Sequence, residues 1–126
     1  MPKKALPAVS PAETEILRLV WQLGSATVQD VCASLSKQRS VTYATVQTLL
    51  RRLEKKGYVS HDVKGKAHLF RPAVNREDVI HRTVTAFVDR LFDGDPVPLM
   101  MYLADHSKLG EEDINRLKDL IDRKKR

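Results

Sequence analysis

The chain has 126 residues, 42% of them hydrophobic and 30% charged, which fits one ordinary soluble domain, or a small domain with an appendage, and excludes a disordered polymer. No apolar run approaches the ~20 residues that a membrane span needs, so no membrane insertion is expected. The net charge of +6 is uneven: residues 1–72 hold 12 Lys and Arg against 5 Asp and Glu, and residues 73–126 hold 10 against 11, so the first half suits a polyanionic partner.

Met1-Pro2-Lys3-Lys4-Ala5-Leu6-Pro7 begins basic but lacks the apolar stretch of a signal peptide. Residues 1–9 therefore read as an N-terminal arm, and the protein is expected in the cytoplasm. Ser10-Pro11-Ala12-Glu13 is a helix start: serine at the N-cap, proline at the first helical position, glutamate closing a capping box. Ile16, Leu17, Val20 and Trp21 form the inward stripe, with Trp21 expected between the first and third helices, and Gly24 ends the run. Thr27 caps a short second helix whose apolar side is Val28, Val31, Cys32 and Leu35. Cys32 is the single cysteine, so it has no internal disulfide partner and reads as a small buried hydrophobe. Ser36 to Ser40 is a polar turn.

The third helix, from about Thr42 to Lys56, carries the strongest signal. At about 100° per residue, Val46, Leu49, Leu50 and Leu53 share one stripe. Thr45, Thr48 and Arg52 fall on a different face, with Arg51 and Lys55 beside it. A helix anchored by one face and offering hydroxyls and guanidinium on another is suited to a major groove, where such groups reach base edges. Thr45, Thr48 and Arg52 are thus the candidate base contacts. Thr42, Tyr43, Arg51 and Lys55 are candidate contacts to the DNA backbone. Gly57 stops the helix.

Tyr58–Val63 and Ala67–Pro72 read as two short strands joined by Lys64-Gly65-Lys66, with glycine supplying positive φ. Lys64 and Lys66 at this tip are further backbone-contact candidates, although a charge-blunted edge hairpin has the same composition. His61 and His68 fall on opposing strands as hydrogen-bonding or phosphate-facing groups. After residues 73–76 the character changes. Val79 or Ile80, Val84, Phe87, Val88 and Leu91 make a long amphipathic helix ending before Gly94. Asp95-Pro96-Val97-Pro98 is a break, and Leu99, Met100, Leu103 and Met101 form a short apolar helix. A last helix opens at Gly110-Glu111-Glu112-Asp113, with acids favourable to its dipole. It turns Ile114, Leu117, Leu120 and Ile121 inward and closes on Arg123-Lys124-Lys125-Arg126.

About fifty residues are too few to bury an adequate core alone. Val84, Phe87, Val88, Leu91, Leu99, Met100, Leu103, Ile114, Leu117, Leu120 and Ile121 therefore need another surface. A second copy is the economical one, since two-fold dimers dominate homo-oligomers; packing back on the N-terminal domain is the alternative. The fold class is mainly α with a small β-hairpin wing. Residues 10–73 form a winged helix-turn-helix DNA-binding domain, and residues 74–126 form a helical dimerisation domain.

Three stretches together resemble the penicillinase-repressor family of bacterial winged-helix repressors, the BlaI/MecI type. They are Leu6-Pro7 with Ser10-Pro11-Ala12-Glu13-Thr14-Glu15-Ile16-Leu17 and Val20-Trp21; Thr45 through Gly57 with its hairpin; and Leu109-Gly110-Glu111-Glu112-Asp113-Ile114 with Leu117 and Leu120-Ile121. The resemblance implies a homodimeric repressor on a double-stranded dyad operator with TACA/TGTA-like half-sites, read through Thr45, Thr48 and Arg52. It further implies a link to a membrane sensor-protease system, which in some members triggers cleavage at an Asn-Phe bond in the short C-terminal helix. Tyr102-Leu103 stands at that position here and departs from the pair. Members that sense copper do so through a cysteine-rich tail, which this chain lacks.

No Gly-rich phosphate loop, HExxH or Cys-x-x-Cys occurs, so no enzyme, no cofactor and no metal site is expected. His61, His68, His81 and His106 have no spacing diagnostic of zinc. A protein-interaction module using the same helix is the alternative function; a steep loss of binding with salt would mark DNA instead.

Overall fold

The computed structural model describes residues 6–126; residues 1–5 of the expected arm lie outside them. In chain order the elements are α1 (Pro11–Leu23), α2 (Val28–Ser36), α3 (Tyr43–Lys56), β1 (Val59–Lys64), β2 (Ala67–Pro72), α4 (Arg76–Phe92), α5 (Val97–His106) and α6 (Glu111–Lys124). The mainly helical class with one hairpin wing matches the expectation.

Local chemistry sets the first three helices. The Glu13 amide donates to Ser10 Oγ at 3.1 Å, and the Ser10 amide donates to Glu13 Oε1 at 2.8 Å, a closed capping box. Thr27 and Asp30 repeat it at the start of α2. Thr42 lies one residue outside α3 as its N-cap and accepts from the Thr45 amide. At the other end Gly57 adopts φ +94°. Its N–H reaches the Glu54 carbonyl and the Tyr58 N–H reaches that of Leu53, the two bonds of a Schellman stop. This explains why β1 begins at Val59 and not at Tyr58: the Tyr58 amide already belongs to the helix end.

The stripes read from the sequence meet in one core. Ile16, Leu17 and Val20 of α1, Val31 of α2, and Val46, Leu50 and Leu53 of α3 are almost wholly buried, with Phe70 of β2 among them. Each contributes roughly 1.5–3 kcal/mol from removal of apolar surface from water. Trp21, half-buried against this cluster, donates its indole N–H to the Val74 carbonyl at 3.3 Å.

β1 and β2 pair antiparallel from Val59↔Pro72 to Lys64↔Ala67, leaving Gly65 and Lys66 as a two-residue turn. Gly65, at φ +64°, takes the first central position, where such turns require glycine. The hairpin is also paired on its other edge. Ala26 and Phe70 exchange two backbone hydrogen bonds of 2.8 Å. That bridge fastens the segment leading into α2 directly to the wing.

Compactness divides the chain inside α4, with one unit ending at Thr83 and the other running Val84–Arg126. The division falls beyond residue 73, the boundary read from the sequence, because Val79 belongs to the core cluster of the first unit. In the second unit α5 starts at Val97, earlier than expected. Pro98 sits in its first turn, where a missing N–H costs nothing, and the Val97 amide donates to Asp95 Oδ1. No residue of α5 or α6 is buried. Among the described residues, no helix is long and apolar enough to cross a membrane.

Candidate nucleic-acid interface

With Val46, Leu49, Leu50 and Leu53 buried, α3 turns Thr45, Thr48 and Arg52 to solvent together. Arg51 and Lys55 flank them and are exposed. Lys64 and Lys66 are exposed at the wing turn. Among the described residues, none of these five cations is held in an ion pair. Other basic residues of the same half are committed: Arg39 to Glu15, Arg71 to Asp62, and Lys56 to Glu13. Arg18 of α1 and Lys37 after α2 are also exposed without an ion pair among the described residues, so five of the seven free cations described in this half lie on α3 and the wing.

The hydroxyls of Thr42 and Thr45 lie 2.8 Å apart. With Thr45 as donor in this pair, the Thr42 hydroxyl keeps its own proton for an incoming oxygen. Tyr43, at the first position of α3, is exposed. On the wing side, Glu54 Oε2 lies 2.6 Å from His61 Nδ1. A carboxylate only accepts, so Nδ1 carries the proton. The His61 ring stacks on that of His68, with centroids 4.3 Å apart and planes inclined by 15°.

Tyr43, Gln47 and Arg51 succeed one another at one-turn intervals on α3 and line a pocket of about 200 Å³. Its other walls include Thr27 of the α2 cap and Lys66 and His68 of the wing. Tyr43, Arg51 and Lys66, three residues singled out from sequence as backbone contacts, are thus brought together. Thr27 and Gln47 have no such link in the sequence, where His68 reads as a hydrogen-bonding or phosphate-facing group of the wing. The helical repeat placed Gln47 between Tyr43 and Arg51, but the closeness of α2 depends on the Ala26–Phe70 bridge, which no local pattern signals. The remaining base and phosphate candidates lie outside this pocket, on the open face of α3 and at the wing tip.

The apolar residues assigned to dimerisation lie mostly at the surface of the chain. Val84, Phe87 and Leu91 of α4, Met100 and Leu103 of α5, and Ile114, Leu117, Leu120 and Ile121 of α6 are exposed, and Leu99 is half-buried. Val88 differs. It is only 7% exposed within the single chain. Tyr102 and Leu103 are both exposed but lie inside α5, in regular helix and not in an extended loop. Burial raises the Cys32 thiol above its ordinary value, against thiolate chemistry. Among the described residues, no three His, Cys, Asp or Glu side chains are grouped to hold a metal ion.

This arrangement can present an amphipathic helix to a groove, with arginine and threonine toward base edges and free cations toward phosphates. The family model described as penicillinase repressor matches residues 9–123. The penicillinase repressor of Bacillus licheniformis is 29% identical over 122 residues, covering 97% of this chain and 95% of that protein. The solution structure of the DNA-binding domain of the repressor BlaI is 33% identical, with a TM-score of 0.53 over 60% of this chain and 93% of that one. Bacillus licheniformis BlaI, solved as a monomeric form in complex with the blaP half-operator, is 33% identical, with a TM-score of 0.51 over the same shares.

Proposed function

The chain belongs to the penicillinase repressor family, the BlaI/MecI type of DNA-binding repressor, and from that premise we propose that it acts as a homodimer on a dyad operator. Each protomer lays α3 in the major groove of a TACA/TGTA-like half-site, and the bound dimer obstructs transcription. The observation that carries this reading is the shared exposure of Thr45, Thr48 and Arg52 on a helix whose opposite face is buried. Threonine methyls suit thymine methyls, and arginine suits a guanine edge. Arg51, Lys55, Lys64 and Lys66 neutralise phosphates, with Thr42 and Tyr43 as neutral backbone contacts.

The dimer reading is supported by the second unit. Its last two helices have no buried residue within the chain, yet carry Met100, Leu103, Ile114, Leu117, Leu120 and Ile121 at the surface. A face of that kind marks an association site, and two half-sites related by a dyad require a two-fold protein.

The test is fluorescence-anisotropy binding to a TACA/TGTA dyad duplex and a scrambled duplex across a salt series. The expected result is preference for the dyad and a loss of about 0.9 log units in affinity per log unit of salt for each phosphate neutralised. Equal binding to both duplexes, or no response to salt, would overturn the reading.

A further inference from the structure

The pocket between α2, α3 and the wing has an unusual balance of charge. Arg51 enters from α3, and Lys66 and His68 enter from β2 and its turn. The rest of its polar lining, including Thr27 and Gln47, is neutral, and no carboxylate lines it. Two acids stand behind this lining and both are spent: Asp30 Oδ2 accepts from the Thr27 amide at 3.0 Å, and Glu54 Oε2 lies 2.6 Å from His61 Nδ1. His61 in turn stacks flat on His68, and Phe70 meets the His68 ring edge-on at 6.4 Å between centroids. His68 is therefore braced on one ring face by His61 and contacted by Phe70, while it borders a pocket bearing two fixed cations and no anion. An oxyanion is the ligand class that such a lining accepts.

We propose that this pocket is a phosphoryl-oxyanion site, filled in the complex by a backbone phosphate of the duplex, with protonated His68 acting beside Arg51 and Lys66. This rests on the DNA-binding reading above and adds a residue and a proton to it. The charged and titratable groups around His68 are Arg51 and Tyr43 from α3, Lys66 from the turn and His61 from β1, with Glu54 one hydrogen bond behind His61 and Asp30 one behind Thr27. α2 faces it only with uncharged groups. A phosphate diester adds the missing negative charge, so the complex favours the imidazolium. Binding then takes up a proton, and affinity rises as pH falls through the range in which imidazole titrates.

The test compares the full chain with its His68→Gln and His68→Lys variants on the dyad duplex at constant ionic strength, between pH 6 and 8. Each wild-type head should bind about 10-fold tighter at pH 6 than at pH 8, the effect of one proton taken up over part of that range, so the dimer with its two His68 rings should gain up to about 100-fold on the dyad. His68→Gln should lose this dependence and stay close to the weaker, high-pH affinity. His68→Lys, with a permanent charge, should be tight and flat, an outcome that a merely structural role for the ring does not produce. A flat wild type, or a His68→Gln variant that keeps the full pH response while still preferring the dyad, overturns the proposal and leaves the repressor reading standing. If no protein prefers the dyad at any pH, the repressor reading fails with it. The decisive arm is then the titration of the His68 ring signals in the free protein by inorganic phosphate. A shift that the Arg51→Ala variant weakens supports a free phosphoryl ligand in the same pocket. No shift removes the site altogether.

Discussion

Lys56 Nζ lies 2.7 Å from Glu13 Oε1, joining the C-terminal turn of α3 to the N-terminal turn of α1. Glu13 is only 2% exposed, and the same oxygen closes the capping box with the Ser10 amide. Lys56 also donates to the Ala8 carbonyl at 2.9 Å, and Tyr58 donates its hydroxyl to that of Pro7. The segment before α1 is thereby tied to the end of the helix that carries the candidate base contacts. Burial by itself raises the Glu13 carboxyl, but the hydrogen bonds from Lys56 and Ser10 outweigh it and hold the group below its ordinary value.

Replacing Lys56 with methionine should therefore destabilise the fold by about 2–3 kcal/mol, because a buried carboxylate loses its cation. The sign with pH follows from the lowered value. The contribution is fully present above the unfolded-state carboxylate range, near ~4.3, and is lost as pH falls through the lower folded-state value. The gap between wild type and Lys56→Met in urea unfolding should be widest near neutrality and close on acidification. Duplex affinity of the folded variant should stay unchanged, since Lys56 is turned toward α1. A gap independent of pH would show that Glu13 is not the group responsible.

Much of this was legible in the chain, and the divide between what was and was not is physical. The period of Val46, Leu49, Leu50 and Leu53 is local, so the buried and open faces of α3 could be read directly, as could the caps at Ser10, Thr27 and Gly57. Lys55 and Lys56 illustrate the limit. Both are basic and adjacent, but a rotation of about 100° per residue leaves Lys55 exposed and gives Lys56 to Glu13, which is remote in sequence. The Ala26–Phe70 bridge and the pocket around His68 are likewise products of distant pairings. In the second unit, periodicity put Val88 on the apolar stripe of α4, and within the chain it is buried while Val84, Phe87 and Leu91 of the same stripe are exposed.

Arg52→Ala should reduce affinity for the cognate dyad by about 1–3 kcal/mol and relax preference at one base pair, the loss expected of a bidentate base contact. Arg52 is exposed on α3, so the fold should be unaffected and circular-dichroism melts should superimpose. Competition with duplexes varied singly across the half-site measures the change. Intact binding to the cognate duplex would move base reading elsewhere on the helix.

Lys64→Ala should behave differently. Lys64 ends β1 at the exposed turn and has no ion-pair partner among the described residues. Its loss should weaken cognate and scrambled duplexes by the same factor, and the slope of log affinity against log salt should fall in magnitude by about one. A change confined to the cognate duplex would assign the wing tip to base reading instead.

Leu91→Asp is the direct test of the dimer. Leu91 is 65% exposed within the single chain, so a carboxylate there meets water in a monomer and the monomer's fold should tolerate it. In a two-fold interface the same residue is buried beside its own copy or other apolar groups, and an unpaired charge becomes costly. Sedimentation equilibrium should show the wild type as a dimer and the variant as a folded monomer at equal concentration. The dyad duplex should then be bound weakly, while a single half-site duplex is bound as well as by one wild-type head, because the two heads no longer share one association. A variant that remains dimeric would place the interface away from this stretch of α4, leaving the exposed faces of α5 and α6 to form it.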